Sequence, residues 1–184
     1  MCAQEALWQL ALDRVVLMPV GEPPHKEIES DAGRETRFEL CRLAVEGDDT
    51  IEVSRYELDR EGPSYTVDTL RALRAEAPER DLFFILGGDQ AEAFGSWREP
   101  EEIMRLTTLA VAERDEHRRE RITTALAALD GAQNIRFFDM PTIEISSSLV
   151  RERIATGRPF RYLVPAAVAN YIEQAGLYRQ GVRA

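Results

Sequence analysis

Three consecutive serines followed by an arginine are the residues of this chain whose types and spacing most suggest chemistry. In EISSSLVRERI, residues 144–154, the serines precede apolar residues at helical spacing, and serine is a common N-cap. The first turn of a helix presents unpaired backbone N–H groups and a partial positive charge, to which Ser147, Ser148 and Arg151 add donors. This combination predicts a phosphate-binding turn. Serine-capped helices with arginines also occur where nothing is bound, so other parts of the chain have to decide between the two interpretations.

Two loop motifs add further candidates. In PPHK, His25 and Lys26 follow two prolines and are suited to holding phosphate oxygens, although an exposed pair of this kind is more often merely solvated. In GPSYT, Tyr65 and Thr66 stand at a turn that opens a helix, where backbone N–H groups can accept a carboxylate. A turn followed by an ordinary helix N-terminus explains this second motif equally well.

Paired glycines follow LFFIL, the most apolar run of the chain. Gly87 and Gly88 would let a ligand approach the backbone closely, and Asp89 would either accept hydrogen bonds from ribose hydroxyls or cap the next helix. Trp97 lies in the polar setting GSWRE, where its indole either stacks on an aromatic ligand or packs against a helix. The cluster HRRER, which begins at His117, has acidic neighbours and is predicted to be a solvated helix face.

Composition limits what these candidates can do. The chain has 184 residues, of which 44% are hydrophobic and 30% charged, and this predicts one globular domain over residues 1–184. A net charge of −10 argues against nucleic acid or an anionic membrane as partner. The N-terminal residues lack the features of a signal peptide and no apolar run is long enough to span a bilayer, so a cytoplasmic location is expected. Cys2 and Cys41 suggest neither a disulfide framework nor a metal site.

Helical and strand patterns alternate along the chain. Helices are predicted at Ala3–Leu12, Arg34–Glu46, Thr66–Ala77, Glu99–Leu106, Arg118–Leu129 and Pro165–Gln174, with a further helix at the serines. Strands are predicted at 15–19, Ile51–Leu58, Leu82–Leu86, Thr108–Ala112 and Ile135–Phe138, and Leu82–Leu86 is expected to be central. This alternation predicts an α/β fold with a doubly wound parallel sheet, in which ligands bind at the carboxyl ends of the strands. The candidate motifs follow predicted strands, which favours the binding-site interpretation.

Four blocks in order resemble the bacterial nicotinate-nucleotide adenylyltransferases of the nucleotidylyltransferase superfamily. The blocks are MPVGEPPHK, LDREGPSYTVDTL, FFILGGDQAEAFGSW and ISSSLVRERI, and the resemblance extends from Ala3 to about Tyr178. It implies a Rossmann-like fold and adenylyl transfer from ATP to nicotinate mononucleotide, which yields deamido-NAD and pyrophosphate in NAD biosynthesis. It also implies Mg²⁺ that arrives with ATP, for which no protein ligand is assigned; a homo-oligomer is compatible with the sequence.

The resemblance also implies roles for individual residues. Those implied to bind ATP are Gly87, Asp89, Ser147, Ser148 and Arg151, with Ser148 in a position where threonine is usual. Those implied to bind the nicotinate substrate are Tyr65, Thr66 and Trp97, with His25 and Lys26 on a loop that closes over the substrates. In-line attack of the mononucleotide phosphate on the α-phosphorus of ATP needs no protein nucleophile, so catalysis is expected to depend on positioning and charge stabilisation. Arg151 is the candidate catalytic residue.

One part of the family pattern is absent from the chain. The family begins with a strand and the motif GGxFDPxHxGH, and neither this motif nor any HxGH spacing occurs in the 184 residues. We therefore expect the sheet to lack its first strand, to have an unfilled central position, and to support weak or no turnover. Two rival interpretations follow: a non-catalytic nucleotide-binding module, and a sister adenylyltransferase that uses another phosphorylated substrate. An NAD-binding oxidoreductase is disfavoured because the chain has no GxGxxG.

Overall fold

The computed structural model describes residues 1–23 and 32–179. The helices are α1 (Cys2–Gln9), α2 (Arg34–Ala44), α3 (Thr66–Glu76), α4 (Gly88–Glu92), α5 (Pro100–Leu106), α6 (Glu116–Leu126), α7 (Ser147–Ala155) and α8 (Ala166–Ala175). The strands are β1 (Val15–Leu17), β2 (Ile51–Val53), β3 (Phe83–Gly87), β4 (Thr108–Ala112) and β5 (Ile135–Phe138). Within the described residues, no helix combines the length and the apolar character that crossing a bilayer requires.

The chain forms two compact units. The first unit consists of Met1–Val15 and Pro63–Pro141, and the second of Val16–Gly62 and Thr142–Ala184. The prediction of one domain over residues 1–184 stays a prediction.

The first unit is built on a parallel sheet with strand order β3-β4-β5. Successive residues of a strand point to opposite faces of the sheet. On β4, Leu109 and Val111 therefore join one apolar cluster, formed with α3, α4, α5 and α6, whereas Ala110 joins another with Ala6 of α1 and Phe138 of β5. A parallel sheet with helices on both faces confirms the predicted α/β class.

The central strand of this sheet is β4, not the LFFIL strand that the sequence favoured. Leu109, Ala110 and Val111 of β4 are each fully buried, whereas only Leu86 is buried on β3. The difference arises because β4 has β3 on one side and β5 on the other, and β3 has a partner on one side only among the described residues. High apolar content was therefore a poor guide to strand position within this sheet. The expected unfilled central position stays a prediction.

Helix α6 begins where an aspartate follows β4. The Oδ1 atom of Asp115 accepts a hydrogen bond from the backbone N–H of Arg118 at 2.8 Å, which satisfies one of the unpaired donors of the first turn. On the inner face of the helix, Ile122 and Leu126 are buried against the sheet cluster. The cap and the apolar pair together fix where α6 starts and which side it buries.

We expect Asp115→Ala to lower the free energy of unfolding by about 1 kcal/mol, because the N–H of Arg118 loses its acceptor. Urea denaturation followed by circular dichroism measures the change. Glu120→Ala, on the exposed face of the same helix, is the matched control and should shift the free energy by less than about 0.5 kcal/mol. Equal losses in the two variants would contradict the capping role.

In the second unit, α2, α7 and α8 pack together. Val150 and Ile154 of α7 are buried with Val168 and Ile172 of α8, and side chains of α2 cover this cluster. The two residues of each pair are four positions apart, which places them on one helix face. The buried face of α7 leaves its N-terminal serines at the surface of the unit.

Candidate functional site

The three strand ends of the first unit lie at one edge of the sheet. Gly87 pairs in register with Ala112, and Ala112 pairs with Phe138, so the residues that follow these strands are neighbours. In parallel α/β sheets this carboxyl edge is where ligands bind. The side chains that leave the edge therefore define the candidate site of this unit.

The two glycines at the end of β3 have different surroundings. Gly87 is exposed, and a methyl group placed on its Cα would meet nothing within 4 Å. Gly88 is buried, and a methyl group there would collide with the carboxylate of Glu113. A side chain at position 88 would therefore displace the Glu113 carboxylate from its present place, whereas position 87 leaves the backbone open to an approaching molecule.

Arg118 connects the ends of β3 and β4. Its Nη2 donates hydrogen bonds to the carboxylates of Asp89 and of Glu92, the latter at 3.1 Å, and its Nε lies 3.4 Å from Oε2 of Glu113. The Arg118 side chain is 29% exposed and that of Glu113 is 10% exposed. The prediction that HRRER is a solvated helix face is therefore wrong for Arg118, because carboxylates from two strand ends surround its guanidinium.

Arg119, the next residue, connects the ends of β4 and β5. Its Nε donates to the backbone carbonyl of Glu113 at 2.7 Å, and its Nη2 donates to Oδ1 of Asp139, directly after β5, also at 2.7 Å. Arg121 donates to Oε1 of Glu92 at 3.2 Å but is 63% exposed. Consecutive arginines of α6 thus connect to residues that follow all three strands.

These contacts shift the proton affinities of the groups that make them. The hydrogen bond from Arg118, with a second from Arg121, lowers the pKa of Glu92. The same carboxylate and that of Asp89 raise the pKa of Arg118. Arg118 is therefore a permanent cation at the strand ends.

Trp97 lies beside the sheet cluster of the first unit. It follows a short 3₁₀ turn, Phe94–Ser96, and its ring centroid is 5.9 Å from that of Phe84 and 5.4 Å from that of Phe94. The indole is only partly buried, so these contacts support part of it and leave part accessible. An aromatic ring held in this way can pack against a ligand at little cost in side-chain entropy.

Tyr65 and Thr66 form the start of α3, as the sequence predicted. Tyr65 is the N-cap residue and its side chain does not cap the helix; the N–H of Asp68 donates to the Tyr65 carbonyl at 3.1 Å, and the N–H groups of Thr66 and Val67 have no acceptor within the helix. The guanidinium of Arg98 lies 4.4 Å from the Tyr65 ring centroid and within 4 Å of carboxylate oxygens of Asp68 and Glu99. Arg98 thus fixes the tyrosine ring at a helix end with unpaired N–H groups.

In the second unit, Ser146 caps α7. Its hydroxyl oxygen accepts a hydrogen bond from the N–H of Leu149 at 3.1 Å, which leaves Ser147 and Ser148 as the first two helical residues, both exposed. Nη2 of Arg151 donates to the hydroxyl oxygen of Ser148 at 3.2 Å. The arginine head therefore extends back toward the first turn, as a phosphate-binding turn requires.

The predicted site residues fall into two groups. Tyr65, Trp97 and the strand-end residues Gly87 and Asp89 belong to the first unit, whereas Ser147, Ser148 and Arg151 belong to the second. The indole and the tyrosine both pack against the sheet cluster of the first unit. His25 and Lys26 lie outside the described residues.

Sequence reasoning missed Arg118, Glu113 and Arg98. Arg118 joins Asp89 across 29 positions, and no local pattern reveals such a pair. One sequence feature could have indicated it: acidic residues follow two predicted parallel strands, and a half-buried cation is the expected partner for carboxylates that share an edge.

Among the described residues, no group of three or more His, Cys, Asp or Glu side chains is placed to hold a metal ion. Partial burial raises the pKa of the thiols of Cys2 and Cys41, which disfavours their nucleophilic thiolate forms. The described side chains at the two candidate sites offer hydrogen bonding, charge stabilisation and aromatic contact.

Comparison with known proteins gives a consistent result. The family model described as cytidylyltransferase-like matches residues 1–153. A probable nicotinate-nucleotide adenylyltransferase of Synechococcus sp. (strain JA-3-3Ab) is 38% identical, with 96% of this chain and 85% of the relative covered. One with the same description from Tropheryma whipplei (strain Twist) is 37% identical, with 96% of this chain and 90% of the relative covered.

A solved structure shares the fold at low sequence identity. The structure described as Plasmodium falciparum nicotinic acid mononucleotide adenylyltransferase complexed with APC matches with a TM-score of 0.70 and 15% identity, covering 97% of this chain and 88% of that one. At this identity the match concerns the fold, and it agrees with the Rossmann-like architecture expected from the sequence.

Proposed function

The chain belongs to the nicotinate-nucleotide adenylyltransferases within the cytidylyltransferase-like family, and from this premise we propose that it transfers the adenylyl group of ATP to nicotinate mononucleotide. The products are deamido-NAD and pyrophosphate, and the reaction is a step of NAD biosynthesis. Identity of 37–38% over 96% of the chain is the observation that carries this assignment.

The α7 turn supports a role in holding the ATP phosphates. Because Ser146 supplies the cap, Ser147 and Ser148 keep exposed positions at the helix start, and Arg151 places its charge beside them. Unpaired N–H groups, the helix dipole and a guanidinium together favour phosphate oxygens. In this proposal Arg151 stabilises the charge that develops as pyrophosphate leaves.

In the first unit, the proposal assigns roles to the strand ends and to the start of α3. The open backbone at Gly87 and the carboxylate of Asp89 receive the adenosine and its ribose hydroxyls. The α3 start at Tyr65 and Thr66 receives the nicotinate carboxylate through backbone N–H groups, and Trp97 packs against the pyridine ring. His25 and Lys26 complete the substrate contacts.

Mg²⁺ belongs to the same proposal as an ion that arrives with ATP. Such ions keep several waters and bind mainly through the substrate phosphates. When bound, the ion neutralises phosphate charge. A cytoplasmic location also belongs to the proposal, since ATP and pyridine mononucleotides are metabolites of that compartment.

The reaction itself tests the proposal. We expect the chain, given Mg²⁺, ATP and nicotinate mononucleotide, to form deamido-NAD and pyrophosphate in equal amounts, at the weak turnover expected of a sequence without HxGH, and to use nicotinamide mononucleotide less well. Chromatography measures the dinucleotide and a coupled assay measures pyrophosphate. ATP binding by isothermal titration without formation of either product would contradict the proposal and favour a non-catalytic nucleotide-binding module.

A further inference from the structure

We propose that Arg118 is a positioning residue, which holds the carboxylate of Asp89 in the orientation that recognises the ribose hydroxyls of ATP. This inference rests on the proposed function, in which Asp89 contacts the ribose, and it assigns a task to a residue outside the family motifs quoted above. Three structural observations carry it.

The first observation is that the side chains of Asp89 and Arg118 differ in solvent exposure. The Asp89 side chain is 82% exposed and lies on a helix of five residues, whereas the Arg118 side chain is 29% exposed. A solvated carboxylate on a short helix has several rotamers of similar energy. The hydrogen bond from Nη2 of Arg118 selects one of them.

The second observation is that Arg118 forms an ion pair with Glu113, a residue that is itself held at the edge of the sheet. Oε2 of Glu113 lies 3.4 Å from its Nε, and Oε1 of Glu113 accepts hydrogen bonds from the N–H groups of Arg114 at 2.8 Å and Asp115 at 2.9 Å. The N–H of Glu113 donates to the carbonyl of Phe138 on β5 at 3.1 Å. A continuous series of contacts therefore joins β5 through Glu113 and Arg118 to Asp89.

The third observation concerns the oxygen atoms of Asp89. Arg118 bonds to Oδ1. An ionised carboxylate has two oxygens and about four lone-pair sites, so it can receive ribose hydroxyls while Arg118 is bound. Arg118 therefore orients the Asp89 carboxylate and leaves lone-pair sites for the ribose hydroxyls.

A purely structural ion pair would have different consequences. Exposed ion pairs contribute little to stability. The loss of a pair with only a structural role would lower the affinity for every nucleotide by the same factor. Loss of a positioning residue instead weakens the recognition of one chemical group. These cases are separated by a ratio: the dissociation constant for 2′-deoxy-ATP or 3′-deoxy-ATP divided by that for ATP. Because both nucleotides are titrated into the same preparation, this ratio does not depend on the folded fraction.

We expect the unsubstituted chain to bind ATP about tenfold or more tightly than the weaker deoxy analogue, because a site that pairs with a hydroxyl loses that bond with the analogue. Arg118→Met, which keeps an apolar stem of similar length, should reduce this ratio to about threefold or less. Arg118→Lys should give an intermediate ratio, since a lysine retains the charge but not the fork of donors. Isothermal titration measures all three.

Arg121→Met is the matched control. Arg121 lies on the same helix and bonds to Glu92 rather than to Asp89, so the ratio should stay at its original value. If Arg118→Met does not fold, Glu113→Gln tests the same series of contacts and should lower the ratio by a smaller factor.

Asp89→Asn tests ribose recognition by Asp89 separately from the positioning role of Arg118. If it reduces the ratio and Arg118→Met does not, the positioning role is overturned while the proposed function stands. If Arg118→Met weakens ATP and its deoxy analogues equally, Arg118 is structural and the inference is again overturned. If Asp89→Asn itself leaves the ratio unchanged, Asp89 does not read the ribose and the inference fails with it, whereas the product assay decides the proposed function independently.

Discussion

Arg151→Ala is expected to lower kcat/KM by about 10- to 150-fold, which corresponds to the loss of a charge-assisted contact of about 1.5 to 3 kcal/mol. The reason lies in the geometry of α7. Nη2 of Arg151 bonds to the hydroxyl of Ser148 at 3.2 Å, so its charge lies at the helix start that we propose for the phosphates. Its removal leaves the serines and the helix dipole without the guanidinium that neutralises charge on the leaving pyrophosphate in this proposal.

Steady-state kinetics at saturating nicotinate mononucleotide measures the change in kcat/KM for ATP. Calorimetric titration measures how much of that change is a weaker affinity for ATP. Arg158→Ala is the control, because Arg158 is 55% exposed in the same unit and its contact is an ion pair with Glu152 at 3.7 Å. We expect the control to change kcat/KM by less than about twofold. An Arg151→Ala chain with unchanged kcat/KM would remove Arg151 from the mechanism.

Trp97→Ala is expected to raise the KM for nicotinate mononucleotide by roughly 5- to 150-fold, since packing of an aromatic ring on a base is worth about 1 to 3 kcal/mol. The KM for ATP should change far less. The indole also contacts Phe84 and Phe94, so the variant loses some stability as well. The comparison of two substrates on one preparation separates that loss from the loss of substrate contact.

Trp8→Ala supplies a matched control for the tryptophan prediction. Trp8 lies on α1 with a side chain that is 84% exposed, and we expect both KM values to stay unchanged. Trp97→Phe, which retains an aromatic ring, should recover much of the lost affinity. Equal increases in the two KM values of Trp97→Ala would show that the indole does not discriminate between the substrates.

Much of the fold could be predicted from the sequence. The strands Thr108–Ala112 and Ile135–Phe138 have the predicted bounds because each is a short, mainly apolar segment followed by charged residues. The strand predicted at Ile51–Leu58 ends at Val53, although Leu58 is buried. After Val53 the backbone turns, and the N–H of Asp59 donates to the carbonyl of Arg55. The side chain of Arg55 also forms ion pairs with Glu35 and Asp59, which stabilise this turn.

The candidate site could be predicted only in part. The serine turn and the α3 start were found because capping and turn motifs are local in sequence. The environment of Arg118 could not be found in this way, because whether a charged helix face is solvated depends on what lies opposite it in space. Asp89, 29 positions earlier, and Glu113, after another strand, decide that question.

The contacts of Arg118 and Arg119 also constrain how this part of the chain can vary. Arg118 reaches Asp89 after β3, and Arg119 reaches Asp139 after β5. One residue inserted or deleted between β4 and α6 would rotate the helix by about 100° and separate both arginines from their partners at once. Homologues aligned in this connection should therefore rarely carry gaps.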